Sequence, residues 1–377
     1  MTKTLVVTND FPPRPGGIQA FVHNLAVRRP PGSVIVYAPA WQDSPAFDAE
    51  QPFPVIRDPS PRMLPVPPVL RRAADIARTE GCDSVVFGAA APLGLLATAL
   101  RRRGVERIVG LTHGHEAGWA AVPGARQLLG RIGDGADVLT YLGEYTRSRI
   151  ARGLSPAAAT RMRRLAPGVD EAAFRAGAGG ADVRARHGLT DRPVVVCVSR
   201  LVPRKGQDTL IRAWPRVLRA IPEAVLLLVG GGPYHATLNR LRTEFGVTDS
   251  VRLTGAVPWA ELPAHYDAGN VFAMPCRTRR RGLDIEGLGI VYLEASATGL
   301  PVIAGNSGGA PDAVLEGETG VVVDGHSVAA VADAVIELLR NPAGAAAMGE
   351  KGRSWIEREW RWQVQARRFA ALLEDPL

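Results

Sequence analysis

The chain has 377 residues, 46% of them hydrophobic, and this length is too great for one ordinary hydrophobic core, so two or three domains are expected. No apolar run reaches the roughly 20 residues needed to span a bilayer. The opening MTKTLVVTND is predicted to be a first strand rather than a signal peptide. The cysteines Cys82, Cys197 and Cys276 lack CxxC spacing, which favours free thiols in a reduced, cytoplasmic compartment.

The net charge of +8 is carried almost entirely by the first half of the chain. Residues 1–180 contain 22 Lys and Arg against 15 Asp and Glu, whereas the remaining residues contain 23 against 22. Such an asymmetry indicates either an anionic partner or a solvated basic face. The anionic partner would be a nucleic acid, a phospholipid surface or a phosphorylated substrate.

Short, β-branched apolar runs alternate with stretches of helical period along the whole chain. This alternation predicts parallel, doubly wound sheets of an α/β protein. In the first half the predicted strands are TLVVTN, SVIVYAP, SVVFG, RIVGLTH and DVLTYL. In the second half they are PVVVCVSR, AVLLLVGGG, SVRLTG, NVFAMP, PVIAG and TGVVVD.

A segment rich in Gly and Ala, residues 171–192, is predicted to link a Rossmann-like domain of residues 1–170 to a second of residues 193–377. Open α/β sheets bind ligands beyond the carboxyl ends of their strands, so two such domains would face one interdomain cleft. The last helix, about residues 355–377, either packs back on the first domain or belongs to the core of the second.

Two motifs of the first half contain candidate ligand residues. In NDFPPRPGGIQAFVHNLA, Gly16 and Gly17 open a helix whose free amides suit a phosphate, although a structural turn explains the glycines equally well. The dehydrogenase pattern GxGxxG is not present. In LTHGHEAGW, His113 and His115 stand with Glu116 at the end of a strand. Either histidine could bind a sugar hydroxyl or a phosphate, and the alternative is a packed, structural histidine.

In the second half, VSRLVPRKGQDTLIRAW places Arg200 and Lys205 at the carboxyl end of a buried strand. Two cations there suit a diphosphate, whereas the alternative is a surface pair beside a helix start. The sequence has no DxD motif, and its His and Cys residues never fall at metal-ligand spacing. The cations would therefore do the work of a divalent metal at a nucleoside diphosphate leaving group.

The stretch EGLGIVYLEASATG carries two carboxylates eight residues apart, Glu286 and Glu294. A helix is predicted to begin around Gly287–Gly289, with the amides of Gly287, Leu288 and Gly289 pointing at a ligand. Glu294 would then lie about two turns along the helix flank. Carboxylates so placed suit a polyhydroxylated ligand. The alternatives are a helix with one solvated face and, less favoured, a pair of hydrolytic carboxylates.

These motifs resemble those of the family-4 retaining glycosyltransferases, whose GT-B fold consists of two facing Rossmann-like domains. The E-x7-E spacing of Glu286 and Glu294 is the most specific match. The glycine loop, the two cations and the turns VGGGP and LTGAV also fall where that family has them. The resemblance covers almost the whole chain and is stronger in the second half.

The resemblance implies a role for each residue that faces the donor diphosphate. Gly16 and Gly17 would approach the diphosphate, and Arg200 and Lys205 would neutralise it. No metal and no other cofactor would be required. The resemblance also implies retention of configuration by front-face attack, without a nucleophile from the protein.

The remaining roles implied by the resemblance concern the sugar and the nucleoside. Glu286 would hold the hydroxyls of the sugar, Glu294 the ribose, and the backbone near Val257 the base. One histidine, His113 or His115, would lie beside the sugar and the β-phosphate.

More narrowly, the sequence is similar to the actinobacterial phosphatidylinositol mannoside mannosyltransferases. This similarity implies transfer of mannose from GDP-mannose to an anionic lipid by an enzyme associated peripherally with the inner face of the cell membrane. The chain departs from that group in the three arginines Arg279–Arg281, which either contact the acceptor or are solvated.

A predicted helix of the first half suits the surface of an anionic membrane. Its basic residues are Arg71, Arg72 and Arg78. With the apolar Met63, Leu64 and Val66 just ahead of it, this segment could lie on lipid, with each basic residue contributing about 1 kcal/mol. An ordinary amphipathic surface helix explains the same pattern.

Four other functions remain open at this point. They are a GT-B sugar-nucleotide epimerase, a glycosyltransferase with another donor and a non-lipid acceptor, a sugar-binding homologue without activity, and a nucleic-acid-binding α/β protein. The last is disfavoured because the first half shows no basic run interleaved with aromatic residues, which make up only 6% of the chain. No nucleic-acid partner is therefore expected.

Overall fold

The computed structural model describes residues 2–282 and 284–374, without the side chain of Arg281. The described residues form two compact units. The first consists of residues 2–168 together with 362–374, and the second consists of Val169–Arg361.

The first unit is built on a seven-stranded parallel sheet of order β3-β2-β1-β4-β5-β6-β7. Its strands are β1 (Thr4–Val7), β2 (Val34–Pro39), β3 (Val55–Asp58), β4 (Ser84–Phe87), β5 (Arg107–Gly110), β6 (Val138–Tyr141) and β7 (Arg163–Arg164). Its first eight helices are α1 (Gly17–Ala26), α2 (Ser44–Ala49), α3 (Pro67–Glu80), α4 (Ala97–Arg101), α5 (Glu116–Ala121), α6 (Pro123–Gly135), α7 (Glu144–Ala151) and α8 (Pro156–Thr160). A 3-10 turn, Leu93–Leu96, leads into α4.

Both faces of this sheet are buried, which explains why its central strands are continuously apolar. Successive side chains of a strand point to opposite faces, so Leu5 and Val7 join one hydrophobic cluster and Val6 joins the other. The strand order reverses direction beside β1, and the loops after β1 and β4 diverge there, as in other doubly wound sheets.

The second unit repeats this plan on a six-stranded parallel sheet of order β10-β9-β8-β11-β12-β13. Its strands are β8 (Val194–Val198), β9 (Val225–Val229), β10 (Val251–Gly255), β11 (Val271–Met274), β12 (Val302–Gly305) and β13 (Gly320–Val323). Its helices are α9 (Gly180–His187), α10 (Gln207–Ala220), α11 (His235–Glu244), α12 (Leu262–Asp267), α13 (Ile290–Thr298), α14 (Val328–Arg340) and α15 (Pro342–Glu359). The 3-10 turns are Pro203–Lys205, Trp259–Glu261, Arg280–Gly282 and Ala310–Ala313.

Residues 171–192 do not form the linker that their composition suggested. They include α9 and belong to the second unit. The carboxylate of Asp267 accepts hydrogen bonds from the amides of Gly177 and Gly180, at 2.9 and 2.7 Å. A Cβ on Gly180 would overlap the backbone of Asp267, so the small residue permits close packing of α9 on α12. At Gly180 the glycine therefore serves close packing, and not the flexibility that the sequence prediction assumed.

The C-terminal residues form two helices rather than the single one predicted for about 355–377. The helix α15 belongs to the second unit, whereas α16 (Trp362–Glu374) belongs to the first. Phe369 and Leu373 of α16 are buried in the cluster that contains Val6. The backbone carbonyl of Leu372 accepts a hydrogen bond from Arg107 Nε of β5, at 2.9 Å. Residues 362–374 therefore complete the core of the first unit.

No helix in the described part of the chain is both long enough and apolar enough to cross a bilayer.

Arg353 of α15 joins three segments of the second unit. Its Nη1 atom lies 2.9, 2.9 and 2.7 Å from the carbonyl oxygens of Glu171, Phe174 and Ala297. We expect Arg353→Met to lower the free energy of unfolding by about 2 kcal/mol, because these carbonyls lose a charged donor. Urea denaturation followed by circular dichroism measures the change. The exposed Arg358 of the same helix is the control, since Arg358→Met should cost under about 0.5 kcal/mol; equal midpoints for the two variants would contradict the expectation.

Candidate active site

The cations predicted for the second unit lie in the loop between β8 and α10. Gly206 follows the turn Pro203–Lys205 with φ 78°, and a Cβ there would overlap the carbonyl oxygen of Pro275. Only glycine allows this close approach in a left-handed conformation. The close approach places Lys205 beside the chain that leaves β11.

Lys205 and Glu286 are brought together as a buried ion pair. The Nζ atom of Lys205 lies 2.7 Å from Glu286 Oε2, and the two residues are 8% and 6% exposed. Arg204 Nε lies 3.8 Å from the same carboxylate oxygen and donates to the carbonyl oxygen of Ile285 at 3.2 Å. Such a pair needs each partner to compensate the buried charge of the other. Sequence reasoning identified both charges but did not foresee their contact.

Arg200 does not share this environment. Its side chain is exposed and has no hydrogen bond or ion pair with any other described residue. The segment that contains it is held by the VGGGP turn, because the amide of Leu201 donates to the carbonyl oxygen of Gly231 at 2.8 Å. Arg200 is therefore an exposed cation on a fixed backbone.

The turn that contains Glu286 packs against the loop that follows β12. The amide of Glu286 donates to Ser307 Oγ at 3.4 Å, and the amide of Gly309 donates to the carbonyl oxygen of Glu286 at 2.9 Å. These two residues were missed from the sequence. The run NSGGA after the strand PVIAG was the signal available, since a glycine pair at a strand end indicates close backbone packing.

The helix after Glu286 begins at Ile290, just beyond the predicted start around Gly287–Gly289. Gly289 has φ 82° and the first helical residue of α13 is Ile290, so Gly287–Gly289 form the approach to the helix and not its first turn. Among the described residues, no acceptor is present for the amides of Gly287, Leu288 and Gly289. Gly287 is partly buried, whereas Leu288 and Gly289 are buried.

Glu294 lies on α13, where its carboxylate is partly buried. Its Oε2 atom accepts a hydrogen bond from Tyr266 Oη at 2.6 Å. Burial raises the pKa of Glu294 to about 7, while the hydrogen bond from Tyr266 and the charge of Lys205 act in the opposite direction. A carboxylate of this kind changes its charge near neutral pH.

Val257 is partly buried and follows β10, which is an edge strand of the sheet. The next residues lead to Trp259, whose side chain is 61% exposed and whose ring lies 6.2 Å from that of Phe174.

A second ion pair, not predicted from the sequence, connects two loops of this site. Arg277 Nη2 lies 2.9 and 2.8 Å from the two carboxylate oxygens of Asp208, and its Nη1 donates to Thr209 Oγ1 at 2.7 Å. The amide of Arg277 donates to the carbonyl oxygen of Arg204 at 2.8 Å. This bidentate contact fixes the loop that contains Lys205 relative to the chain after β11. The sequence signal was the charged run CRTR directly after a buried strand.

The arginines that follow have separate environments. The side chain of Arg279 lies 3.5 Å from Asp284, whereas Arg280 is exposed with φ 49°. The side chain of Arg281 lies outside the described residues.

In the first unit, Gly16 directly precedes α1 and Gly17 is its first residue, as predicted for the glycine loop. Gln19 Nε2 donates to Asp10 Oδ1 at 2.9 Å, which connects the helix to the end of β1. Arg57 Nη2 donates to the carbonyl oxygen of Pro12 at 2.7 Å. These contacts hold the proline-rich loop in place, and sequence reasoning identified neither of the donor residues.

The structure gives His113 and His115, between which the sequence did not decide although His113 aligned better, different surroundings. His113 is partly buried, and its Nε2 atom lies 2.6 Å from the carbonyl oxygen of Gly88. A carbonyl only accepts, so Nε2 carries a proton. Burial lowers the pKa of His113, which favours the neutral ring and leaves Nδ1 as a hydrogen-bond acceptor.

His115 has a more exposed side chain, at 42%. Its Nε2 atom lies 3.2 Å from Oε1 of the fully buried Glu116. The other carboxylate oxygen of Glu116 accepts a hydrogen bond from the amide of His113 at 3.0 Å. Glu116 therefore contacts both histidines of the loop after β5.

The predicted membrane segment is partly corrected. Arg71, Arg72 and Arg78 are exposed on α3, and Leu64 and Val66 are 51% and 40% exposed. Met63, in contrast, is fully buried in a hydrophobic cluster of the first unit. Asn9 explains this position, because its side chain exchanges two hydrogen bonds with the backbone of residue 63, at 2.9 and 2.8 Å.

Within residues 2–282 and 284–374, no group of three or more His, Cys, Asp or Glu side chains is placed to hold a metal ion.

Comparison with protein families gives two matches that together cover most of the chain. Residues 15–173 match the model for Glycosyltransferase Family 4, and residues 181–355 match that for Glycosyl transferases group 1.

Two characterised relatives extend over nearly the full length. A GDP-mannose-dependent alpha-(1-6)-phosphatidylinositol monomannoside mannosyltransferase of Mycobacterium tuberculosis (strain ATCC 25618 / H37Rv) is 52% identical, over 99% of this chain and 98% of its own. A GDP-mannose-dependent monoacylated alpha-(1-6)-phosphatidylinositol monomannoside mannosyltransferase of Corynebacterium glutamicum is 45% identical, over 99% and 98%.

Solved structures share the architecture. Anabaena Alr3699/HepE in complex with UDP has a TM-score of 0.80 at 18% identity, covering 99% of both chains. Sucrose-phosphate synthase from Thermosynechococcus elongatus has a TM-score of 0.74 at 23% identity, covering 98% of both. At such identities the likeness establishes the fold alone. The GT-B fold and the family expected from the sequence motifs are both confirmed.

Proposed function

Since the chain belongs to the family 4 glycosyltransferases of GT-B fold, we propose that it transfers mannose from GDP-mannose to a lipid acceptor of the phosphatidylinositol mannoside type. The observation that carries this proposal is the 52% identity, over 99% of the chain, to a relative with that named activity. The buried pair of Lys205 and Glu286 in the second unit supports the proposal.

The donor diphosphate is the proposed ligand of Lys205 and Arg200. Mannosyl transfer breaks the bond between the anomeric carbon and a phosphate oxygen, and both electrons leave with GDP. A cation placed at that oxygen stabilises the developing charge. Lys205 is buried and fixed by its loop, and Arg200 is exposed without a partner among the described residues, so the pair supplies one preorganised and one mobile charge. On this proposal the two side chains replace a divalent metal.

Glu286 is proposed to accept hydrogen bonds from hydroxyls of the mannose, and Glu294 from the ribose. The unpaired amides of Gly287–Gly289 would donate to the donor's oxygens. The backbone at Val257 would meet the base. In the first unit, Gly16 and Gly17 would approach the diphosphate.

His113 is the histidine that we propose for the sugar. Its protonated Nε2 is already engaged with Gly88, and its Nδ1 is left to accept a hydrogen bond from a sugar hydroxyl. His115, with its exposed ring on Glu116, would support the loop. The acceptor hydroxyl would attack the anomeric carbon on the face that GDP leaves, and its proton would pass to the departing phosphate. This course retains the configuration without a nucleophile from the protein.

The acceptor is proposed to be reached from the inner face of the cell membrane, to which the protein would bind peripherally. Arg71 and Arg72 have no ion pair within the described part of the chain, whereas Arg78 pairs with Asp75 at 2.9 Å. The exposed Leu64 and Val66 precede the helix. Cations beside exposed apolar side chains suit an anionic lipid surface.

We expect the triple change of Arg71, Arg72 and Arg78 to Gln to weaken binding to phosphatidylinositol-containing vesicles by about 10- to 100-fold. Each cation near such a surface contributes about 1 kcal/mol, and Arg78 contributes less because of its partner. Vesicle co-sedimentation at low salt measures the change. A control with the same loss of charge replaces the exposed Arg152, Arg219 and Arg240 by Gln and should bind nearly as well as the original protein. Equal weakening in both variants would assign the effect to net charge alone.

The function is tested by supplying radiolabelled GDP-mannose, UDP-glucose and UDP-N-acetylglucosamine in separate reactions. Each contains EDTA and a lipid extract with phosphatidylinositol mannosides. Movement of label from GDP-mannose into the lipid phase is the expected result. Transfer only from a UDP-sugar, or only to a water-soluble product, would overturn the assigned donor or acceptor. Loss of transfer in EDTA, with recovery on adding a divalent cation, would overturn metal independence.

A further inference from the structure

One carboxylate oxygen of Glu294 is held by a side chain to which sequence reasoning gave no role. Tyr266 Oη donates to Glu294 Oε2 at 2.6 Å. No described residue contacts the other oxygen, Oε1, through a hydrogen bond or ion pair. Glu294 is partly buried as a residue, and Oε1 is not among the described side-chain oxygens that are both fully buried and without a hydrogen-bond partner, so this oxygen keeps some accessible surface.

The tyrosine is itself rigidly placed. Its side chain is completely buried, and its ring stacks on Phe272 at 5.6 Å and meets Phe174 edge to face at 5.5 Å. Burial raises the pKa of Tyr266 well above its usual range, so the hydroxyl stays protonated and always donates. A fixed donor that contacts a flexible glutamate selects one conformation of that side chain. A residue behind a binding side chain can in this way fix the geometry with which that side chain meets its ligand.

We propose that Tyr266 is a positioning residue, which fixes Glu294 so that Oε1 is presented to the ribose hydroxyls of the nucleotide donor. This inference rests on the proposed function, because it takes a nucleoside diphosphate sugar as the ligand. Tyr266 itself would not touch the donor. Its hydroxyl would act through the carboxylate, and removing that hydroxyl should weaken recognition of the ribose while leaving recognition of the phosphates unchanged.

The charged neighbours of Glu294 predict a distinctive pH dependence. Burial raises the pKa of Glu294, whereas Tyr266 on α12 and Lys205 before α10 lower it, and the net pKa is about 7. From α15, Arg353 donates to the backbone of Ala297 and not to this carboxylate. The ionised form accepts hydrogen bonds from two hydroxyls, so affinity for GDP should be full above about pH 7 and fall as the pH drops through it. Without the tyrosine hydroxyl the pKa of Glu294 rises further, so the affinity for GDP begins to fall at a higher pH.

The test compares the binding of GDP with that of 2′,3′-dideoxy-GDP by isothermal titration calorimetry, from pH 5.5 to 8.5. The original protein should prefer GDP by about tenfold or more, since hydrogen bonds to a charged group are stronger than those between neutral groups. Tyr266→Phe should reduce this preference to about threefold or less, mainly by weakening GDP, while its affinity for the dideoxy compound stays the same. The pH below which the affinity for GDP falls should be higher for Tyr266→Phe than for the original protein.

Tyr292→Phe is the matched control. Tyr292 is also fully buried, but its hydroxyl donates to the carbonyl oxygen of Met274 at 2.7 Å and not to Glu294. Loss of that hydroxyl should lower the melting temperature without altering the preference for GDP over the dideoxy compound. A purely structural role for Tyr266 would lower both affinities equally and leave the pH profile in place.

Failure of the proposed donor and failure of the role given to Tyr266 produce different results. If the original protein binds neither GDP nor the dideoxy compound, the proposed donor is wrong and the inference falls with it. If the original protein prefers GDP and Tyr266→Phe keeps both that preference and the pH profile, the donor assignment stands and the role of Tyr266 is refuted.

Discussion

Replacement of Glu286 by Gln is expected to lower the turnover number for mannosyl transfer by about 100- to 1000-fold, the range found when one charge-stabilising group is removed from an active site. The affinity for GDP should change by less than about tenfold. The buried ion pair explains why GDP binding is kept, since Glu286 Oε2 lies 2.7 Å from Lys205 Nζ. Without the carboxylate, the ammonium group is free to bind a diphosphate, so GDP binding is kept while the contact to the sugar is lost.

Steady-state kinetics with GDP-mannose and calorimetry with GDP separate the two effects, because the sugar is present only in the first ligand. Glu244→Gln, a change at an exposed glutamate of α11, is the control and should leave both quantities as they are. Turnover by Glu286→Gln within threefold of the original protein would refute the role given to this carboxylate.

Replacement of Lys205 by Met is expected to weaken nucleotide binding, which the replacement of Glu286 leaves nearly unchanged. It should weaken binding of both GDP and GDP-mannose by about 100-fold, because a buried, hydrogen-bonded charge pair with a ligand contributes on the order of 2–5 kcal/mol. Two further consequences add to the loss. Glu286 is left without its partner, and the pKa of Glu294 rises because Lys205 normally lowers it.

Calorimetry with both ligands measures this change. Lys351→Met provides the control, since this lysine is exposed on α15 and its replacement removes the same charge. Affinity for GDP within threefold of that of the original protein would show that Lys205 serves the stability of the loop and not the donor.

The central strands of both sheets could be predicted because they are buried on two faces and therefore uninterrupted by polar residues. The edge strand β3 could not. Its residues Val55, Ile56 and Arg57 are only partly buried, so no continuous apolar run marks it. The guanidinium group of Arg57 donates hydrogen bonds to the two carboxylate oxygens of Asp48, at 2.9 and 2.7 Å. A pairing of this kind depends on the tertiary fold and leaves no periodic signal.

The same distinction applies to the candidate site. Residues marked by spacing, such as Glu286 and Glu294, were predicted from the motif alone. Residues that act through another side chain were missed, because their partners are distant in sequence. Tyr266 lies 28 residues before Glu294, and Arg277 lies 69 residues after Asp208. The residues around Tyr266 in the sequence do not indicate its contact, and the charged run CRTR marks Arg277 without identifying Asp208 as its partner.

The placement of α16 has a consequence for synthesis on the ribosome. Residues 169–361 are contiguous, so the second unit has all of its chain as soon as these residues have emerged. Most of the first unit is synthesised earlier, but its core is complete only after Phe369 and Leu373 have been added, because these residues cover part of it. Translation proceeds from the N-terminus, and domains generally fold as units. The first unit is therefore completed after the second, and a nascent chain stalled before residue 362 exposes an apolar surface for chaperones to recognise.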